Sequence, residues 1–565
     1  MLLLLLILAP FAAAVVAAMS SGKDPKADLR LGLTMAIAIA VAGTALVCAP
    51  DRAPALSVAW FQLWGTSAIV HLSLGNDGLT AWLVQLTTWL TPIALLGARY
   101  TMKDRLREFT VCIFAMQALM IGALESRDLV LFYLCYEGML VPMVVIIALF
   151  GGIDRRSAAL WFFLYTMFGS IFMLVGIWYI AAKAGTTDLT EVVAAAANPA
   201  VIPPEAMKWL FPAFALAFAV KTPIWPLHGW QPKTYAATPG AGLVMLAGVM
   251  AKIGIYGFLR FVLPIFPQQA YAHHEFFIVL GLIGVIGGAL AALAEDDVKR
   301  MLAYSSMSHL GLVIIGIFTF TTAGTDGAVV QMVAHGFSVA ALFLLVGYVE
   351  SRAQTTSLND FGGLADRTPM LAVLFMTAVL ASAAMPGTAN FIGEFELLLG
   401  TSQGGGFTVT WNWIADIFPD HGALLVIHYP LHWITNCLPV FTVSNLVAAG
   451  LAGLSVILGV VYLLILVQRW FYGKTPSGAE PMGELRPAEA LAVVPLLIAS
   501  LYFGFYPAPI SNSAGVAANL AVKVVHDRAN HDPAPVAVVA PAPTPAPAAA
   551  PAPLAAFAPA PTPAP

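Results

Sequence analysis

Charged residues are scarce in this chain, since Asp, Glu, Lys and Arg make up only 10% of its 565 residues. Ordinary soluble domains carry about 25%, so the composition excludes a water-soluble globular protein. The net charge of −4 offers no basic surface for nucleic acid. The four cysteines are scattered without a CxxC pair. Iron–sulfur and zinc sites need clustered thiolates, so we expect no cysteine-bound redox cofactor.

Hydrophobic residues make up 60% of the chain and fall into runs long enough to cross a bilayer. The first run lacks the basic start of a signal peptide, so we interpret it as a transmembrane helix. The pattern predicts an all-α polytopic membrane protein. About fourteen spans are predicted, near 1–19, 31–49, 78–98, 108–124, 128–150, 157–181, 206–221, 240–263, 276–294, 299–320, 327–350, 370–399, 443–470 and 488–506.

Basic residues are distributed unevenly between the two sets of loops. Seventeen of the 26 Lys and Arg residues fall in loops that follow odd-numbered helices. Loops rich in Lys and Arg stay in the cytoplasm. Both termini are therefore predicted outside, which is the periplasmic side of the inner membrane in a Gram-negative bacterium.

Two segments beside ionisable residues are interrupted by proline. Residues 206–240 carry five prolines around Lys221, and residues 381–394 carry Pro386 close to Glu394. Proline interrupts helical hydrogen bonding, and such breaks persist in a membrane only against protein or a water-filled cavity. The broken helices are numbers 7 and 12. Their separation by five predicts two inverted repeats, helices 4–8 and 9–13, an architecture common in transporters.

These boundaries divide the chain into five predicted parts. The C-terminal tail is rich in Pro/Ala repeats from about Pro533, which cannot bury a core, so we expect it to be disordered. The parts are helices 1–3 (1–98), the first repeat (99–263), the second repeat with an outside-facing insertion at 401–440 (264–472), helix 14 (473–510) and the tail (511–565).

Six ionisable side chains lie inside the apolar runs. A charge at the bilayer centre costs at least about 3 kcal/mol, so six of mixed type are hard to explain by packing alone. They predict a proton relay made of Glu137, Lys221, Lys252, His309, His335 and Glu394. A static ion pair between Glu137 and Lys221, and hydrogen-bonded core positions for the histidines, are the structural alternatives.

Five segments around these residues resemble a known family. The segments VKTPIWPLHGW, LAGVMAKIGIYGFLRF, VKRMLAYSSMSHLGLV, QMVAHGFSVAALF and MPGTANFIGEF closely resemble the membrane-arm antiporter-like subunits of respiratory complex I. The likeness covers roughly residues 100–400. The glutamate in FIGEF is similar to the subunit M (chain 4) branch, because sister subunits usually carry lysine there.

The resemblance implies roles for the six ionisable residues. It implies that Glu137 and Lys221 are the coupled acid–lysine pair and that Lys252 is the central lysine. It also implies that His309 and His335 are the bridging histidines and that Glu394 is the terminal acid. One segment departs from the family, which often shows Leu-Pro-Asp-Ala-His where this chain has Gln231-Pro232-Lys233-Thr234-Tyr235. Proton uptake through that acid or histidine is therefore in question.

The resemblance also implies a function within a larger assembly. The chain would contribute to proton pumping driven by electron transfer from NADH to quinone elsewhere in the complex. It would hold no cofactor itself, with flavin, iron–sulfur clusters and quinone in partner subunits. Its partners would be neighbouring antiporter-like subunits and the lipid bilayer, without nucleic acid. Two alternatives stay open: a subunit of a multisubunit cation/proton antiporter or membrane-bound hydrogenase, and a scaffold whose charges only lock helices together.

Overall fold

The computed structural model describes residues 2–20, 25–48, 55–102, 104–404, 407–409, 441–473 and 482–530. Most of the predicted insertion at 401–440 lies outside these residues, and so does the chain after residue 530. Predictions for those segments are therefore neither supported nor opposed by the structure.

The first half of the described chain is almost entirely helical. One antiparallel hairpin, β1 (Leu56–Gln62) with β2 (Ile69–Leu74), lies between its second and third helices. The helices and two π-helical segments are α1 (Leu2–Met19), α2 (Pro25–Cys48), α3 (Gly78–Thr101), α4 (Leu106–Glu125), α5 (Leu129–Gly138), α6 (Leu140–Phe150), α7 (Arg155–Ala184), α8 (Leu189–Ala196), α9 (Pro204–Lys221), α10 (Trp230–Ala237), α11 (Gly240–Met245), π1 (Leu246–Met250), α12 (Ala251–Gly257), π2 (Phe258–Val262) and α13 (Leu263–Ile265).

The second half repeats this helical character. Its described residues include one short antiparallel pair of strands, β3 (Phe407–Val409) with β4 (Phe441–Val443). Its helical segments are α14 (Pro267–Ala272), α15 (His274–Ala294), α16 (Val298–Phe318), α17 (Thr322–Ala353), α18 (Leu364–Arg367), α19 (Pro369–Ser382), α20 (Ala389–Gln403), α21 (Asn445–Val467), π3 (Gln468–Tyr472), α22 (Pro487–Phe505), α23 (Ala508–Ile510), π4 (Ser511–Gly515) and α24 (Val516–Asn530).

Twelve helices in the described part of the chain are long and apolar enough to cross a membrane. The two predicted spans that are not among them are interrupted helices. The first break separates α9 from α10 around Pro223 and Pro226, and the second separates α19 from α20 around Pro386. The structure thus confirms an all-α polytopic membrane fold. The count of fourteen spans and the inverted repeats stay predictions.

Two aspartates begin helices at corresponding places in the two halves. The side chain of Asp128 caps α5, and the side chain of Asp297 caps α16. Each also forms an isolated antiparallel bridge with the segment after the next long helix, Asp128 with Asp188 and Asp297 with Ser357. The two halves therefore share this local arrangement at the start of one helix.

Asp128 joins three separate parts of the first half. Its Oδ1 accepts hydrogen bonds from the backbone N–H groups of Val130 (2.9 Å) and Leu131 (3.1 Å). Its Oδ2 accepts from the backbone N–H of His71 in β2 (3.0 Å) and from the hydroxyl of Thr187 (2.5 Å). Because Asp128 is fully buried, removal of this carboxylate leaves several donors without partners.

We expect Asp128→Ala to destabilise the chain by about 2–4 kcal/mol, which combines a lost helix cap with unsatisfied buried donors. The measurement is the fraction of the detergent-extracted chain that stays soluble after a series of heating steps. Asp154→Ala is the matched control, because Asp154 precedes α7 but is exposed and makes no capping hydrogen bond. Equal heat sensitivity of the two variants would contradict the assigned role of Asp128.

The predicted start of the tail at residue 511 is wrong. Residues 511–530 are helical, as π4 and α24, instead of disordered. Val522 and Val525 are buried, and the side-chain amide of Asn519 donates to Asp326 of α17 at 2.8 Å. Small apolar residues at helical spacing were the available signal, and the Pro/Ala composition of the later tail obscured it.

Candidate functional site

Lys252 lies in the middle of the long helix formed by α11 to α13 and is fully buried. Its ammonium group contacts Nδ1 of His335 on α17 at 2.8 Å and donates to the carbonyl oxygen of Ala247 at 2.5 Å. The segments π1 and π2 flank it on either side. Wide turns of this kind occur frequently at functional sites. Since Ala247 belongs to π1, this segment supplies an acceptor for the buried ammonium group.

His309 and Glu394 form the next direct contact. Nδ1 of His309 on α16 lies 2.8 Å from Oε1 of Glu394 on α20, and only 2% of Glu394 is exposed. The ring centroids of His309 and His335 are 5.5 Å apart. Four of the six predicted residues therefore form one buried line, in the order Lys252, His335, His309 and Glu394.

Two side-chain amides support this line, and sequence reasoning missed both. Gln331 donates from Nε2 to Oε1 of Glu394 at 3.1 Å. Asn390 donates from Nδ2 to Oγ of Ser338 at 2.9 Å. Gln331 precedes His335 by four residues, and Asn390 precedes Glu394 by four. A spacing of one helical turn from a predicted site residue was the signal that could have identified them.

Several polar atoms along the line have no hydrogen-bond partner among the described residues. They are Nε2 of His309, Oε2 of Glu394 and Oε1 of Gln331. Buried polar atoms are almost always paired in proteins, and buried water commonly pairs them. The line therefore has polar positions where water molecules can join its members.

Lys221 and Glu137 lie beside one another near the first helix break. Lys221 is the last residue of α9 and is 2% exposed. Its Nζ donates to the carbonyl oxygen of Tyr136 at 3.2 Å and lies 4.1 Å from the centre of the Tyr136 ring. Oε1 of the half-buried Glu137 has no hydrogen-bond partner among the described residues, although Lys221 acts electrostatically on this carboxylate. Among the described residues no ion pair joins Glu137 to Lys221, and Tyr136 takes the hydrogen bond of the lysine.

Close helix packing brings the segments of Lys221 and Lys252 together. A Cβ atom at Gly254 would lie 2.2 Å from Oγ1 of Thr222 and 2.8 Å from the carbonyl oxygen of Phe218. Glycine thus allows the end of α9 to approach α12, as small residues do between membrane helices. In the described part of the chain, no side-chain contact is recorded between the two lysines. This step of the predicted relay has no direct link, and neither has the step from Glu137 to Lys221 or that from His335 to His309 in the described residues.

The segment that departs from the family pattern is polar but holds no acid. Gln231, Thr234 and Tyr235 are fully buried, and each has a side-chain polar atom without a partner in the described residues. Lys233 points elsewhere, since its Nζ donates to the hydroxyl of Ser157 at 2.8 Å. Neutral amide and hydroxyl groups therefore occupy the positions beside the break.

Two further acidic residues in this region, Glu396 and Asp326, were not predicted from the sequence. Glu396 lies two residues after Glu394, and its Oε2 is buried without a partner among the described residues. A Cβ atom at Gly327 would lie 2.8 Å from Cβ of Glu396, so this acid packs against the segment that carries Asp326. Asp326 in turn accepts the hydrogen bond from Asn519. Asp326 lies in the second turn of α17, and Glu396 lies in the middle of α20.

The described residues contain no group of three or more His, Cys, Asp or Glu side chains placed to hold a metal ion. His421, His428 and His432 lie outside those residues. The groups that the site does bring together are a carboxylic acid, an amine and two imidazoles, all of which gain and lose protons.

Two interrupted helices in a polytopic bundle, each beside a buried ionisable residue, define an antiporter-like membrane protein. The family described as "NADH:quinone oxidoreductase/Mrp antiporter, TM" matches residues 126–417. This match spans more than half of the chain, and the chain belongs to that family.

Curated relatives are similar to this chain in sequence over most of their length. The chain is 38% identical over 450 residues to NADH-quinone oxidoreductase subunit M of Rickettsia prowazekii (strain Madrid E), covering 80% of this chain and 83% of that protein. It is 35% identical over 519 residues to NADH-quinone oxidoreductase subunit M of Rhodobacter capsulatus, covering 89% of this chain and 93% of that protein.

Solved structures agree in fold. A chain of respiratory complex I from Thermus thermophilus with bound NADH is 27% identical with a TM-score of 0.76, covering 93% of this chain and 100% of that one. A chain of the Mrp complex from Dietzia sp. DQ12-45-1b is 21% identical with a TM-score of 0.72, covering 94% and 98%. At that identity the second likeness shows the fold alone.

Proposed function

We propose that this chain is the proton-translocating membrane-arm subunit of a NADH:quinone oxidoreductase, moving protons through a buried relay. The relay consists of Glu137, Lys221, Lys252, His309, His335 and Glu394. The relatives named subunit M support the assignment to this complex. The observation that carries the relay is the buried line in which Lys252 contacts His335 and His309 contacts Glu394.

The geometry explains how a proton on Lys252 is driven onward. If Lys252 and His335 were both charged at 2.8 Å, their repulsion would be about 6 kcal/mol at an effective dielectric constant of about 20. The pair therefore holds one proton, and a second one arriving at Lys252 expels the first through His335. Imidazole accepts at one nitrogen and donates from the other, so His335 and His309 pass the proton to Glu394.

The Glu137–Lys221 pair acts as the switch at the other end. The positive charge on Lys221 is stabilised while Glu137 is ionised, and the same charge repels a proton on Lys252. When Glu137 is protonated, Lys221 loses its compensating charge and releases its proton more readily. The switch therefore loads Lys252 without needing a redox group in this chain.

The remaining assignments follow from the charge pattern and the relatives. Both termini lie on the periplasmic side of a bacterial inner membrane, with residues 99–263 and 264–472 as the inverted repeats. NADH oxidation, flavin, iron–sulfur clusters and quinone reduction belong to partner subunits of the complex. This chain contacts neighbouring antiporter-like subunits and lipid, and it contributes to the enzyme as a proton-carrying subunit.

Lys252→Met tests the proposal, because methionine is a similarly long apolar side chain that carries no proton. We expect NADH-driven proton uptake by inverted vesicles to fall at least about tenfold, as loss of a proton-transfer group does. Assembly of the complex is checked on native gels. Lys183→Met, at the exposed end of α7, is the control. Unchanged pumping by an assembled Lys252→Met complex would contradict the relay and favour a scaffold.

A further inference from the structure

A cluster of charged side chains lies where α3 begins and α4 ends. Asp77 accepts a hydrogen bond from Nη2 of Arg127 at 3.1 Å and another from Nη2 of Arg260. Arg260 also donates from Nε to the hydroxyl oxygen of Tyr256 at 3.1 Å. That hydroxyl donates to the carbonyl oxygen of Leu124 at 2.7 Å. Asp77, Arg127 and Arg260 are called the arginine cluster below.

The arginine cluster lies at the end of a short polar column that starts at Lys252. Tyr256 follows Lys252 by four residues, and Arg260 follows Tyr256 by four, so one side chain is added per helical turn. Eight residues span about 12 Å along a helix. Exposure increases along this column, from none at Lys252 and Tyr256 to 16% for the Arg260 side chain and 27% for that of Asp77. Tyr256 and Arg260 are therefore the polar side chains that lie between Lys252 and the surface along this helix, although Lys252 itself bonds to Ala247 and His335 and not to Tyr256.

The cluster contains no group that readily accepts a proton. Arginine does not give up its proton in proteins, so neither Arg260 nor Arg127 can receive one from Lys252. Burial alone would raise the pKa of Asp77, but Arg260 and Arg127 lower it well below its usual range. Asp77 therefore stays an anion that holds the arginines in place. The cluster carries two positive charges and one negative charge.

One further acid lies beside the cluster. Glu125 is fully buried and experiences the charge of Arg127, and neither of its carboxylate oxygens has a hydrogen-bond partner among the described residues. An ion in such a position is costly. The three side chains of the arginine cluster by themselves carry a net charge of +1. Fixed arginine charge of this kind excludes protons from narrow polar passages.

We propose that the arginine cluster is an electrostatic seal that stops protons held at Lys252 from escaping directly at this end of the bundle. Its positive charge repels a proton that moves past Tyr256, whereas His335 offers a neutral acceptor in the other direction. The seal therefore gives the relay its direction towards Glu394. It has this role only if Lys252 carries protons as proposed above.

Arg260→Gln and Arg260→Lys separate the charge of the seal from its packing. Vesicles that carry the assembled complex are energised with NADH, oxidation is then stopped, and the decay of the pH gradient is followed with a fluorescent dye. We expect the gradient to decay several-fold faster with Arg260→Gln than with the unmodified complex. Arg260→Lys keeps the positive charge and should hold the gradient as the unmodified complex does.

Each other outcome overturns the seal. Slow decay with Arg260→Gln means that no charge is needed there. Fast decay with both variants means that packing and not charge closes the route. Because Lys252→Met is itself expected to pump little, the double variant Arg260→Gln with Lys252→Met and the single Arg260→Gln are compared after an imposed pH jump. Fast decay that persists in the double variant means that the leak does not pass through Lys252.

Arg127→Gln and Arg127→Lys provide a second pair with the same expected difference, should the Arg260 variants fail to assemble. Arg127 bonds to the same carboxylate oxygen of Asp77 and is exposed to a similar extent, with 18% of its side chain accessible. Failure of the proposed function has a different readout, since Lys252→Met would then pump normally whatever the decay rates of the arginine variants.

Discussion

Lys221→Ala is expected to lower NADH-driven proton pumping at least about tenfold while the complex still assembles. Lys221 is 2% exposed and lies at the break between α9 and α10, where its ammonium group rests on the carbonyl and ring of Tyr136. Alanine removes the group that responds to Glu137. Proton uptake per NADH oxidised in inverted vesicles is the measurement that checks this.

Lys208→Ala is the matched control for Lys221→Ala. Both lysines belong to α9, but Lys208 is exposed and lies more than three turns before the break. An exposed lysine contributes little beyond solvation, so pumping should stay close to that of the unmodified complex. If both variants pumped equally well, Lys221 would be a structural residue and the switch would have to be abandoned.

The parts of the fold that were predicted depend on local chemistry. Apolar runs locate the spans, and proline locates the breaks around Pro223 and Pro386, because both effects act within a few residues. The segment GLIGVIGGAL is rich in glycine, which is typical of close helix packing, and two of its four glycines show such packing. A Cβ atom at Gly281 would lie 2.6 Å from Cγ1 of Ile315, and one at Gly288 would lie 2.9 Å from the carbonyl oxygen of Tyr304.

The contacts within the site could not be predicted in the same way. Lys252 and His335 are separated by 83 residues along the chain, and their contact depends on how α12 packs on α17. The buried ionisable residues are visible in the sequence because each one interrupts an apolar run. Gln331 and Asn390 are neutral and do not stand out against such a run, although they hydrogen-bond within the site.

Strand β1 and the π-helical segments beside Lys252 were not predicted, because neither leaves a clear pattern of apolar and polar residues in the sequence. Strand β1 is exposed along almost its whole length, so it lacks the alternation of apolar and polar residues that predicts a half-buried strand. Trp60 is 57% exposed in this strand, and Trp64 is 95% exposed in the turn that follows it. The π-helical segments beside Lys252 are also hidden, because one extra residue in a turn changes no hydropathy average.

Glu394→Gln and Glu394→Asp together decide whether the terminal residue acts as an acid. Glutamine matches the shape of glutamate and can still meet His309 and Gln331, but it cannot hold or release a proton at neutral pH. Aspartate keeps the acid but is one methylene shorter, so it withdraws from the 2.8 Å contact with His309. A proton relay needs the acid, whereas a structural ion pair or hydrogen bond needs the shape.

We therefore expect Glu394→Gln to pump at least about tenfold less than the unmodified complex, and Glu394→Asp to keep clearly more activity than Glu394→Gln. Proton uptake per NADH oxidised is measured for both, with Glu205→Gln at the exposed start of α9 as the control for loss of one carboxylate. The reverse order, with glutamine more active than aspartate, would show that Glu394 holds α20 against α16 instead of carrying protons. The line from Lys252 would then end at His309, and Glu396 with Asp326 would be the next acids to test.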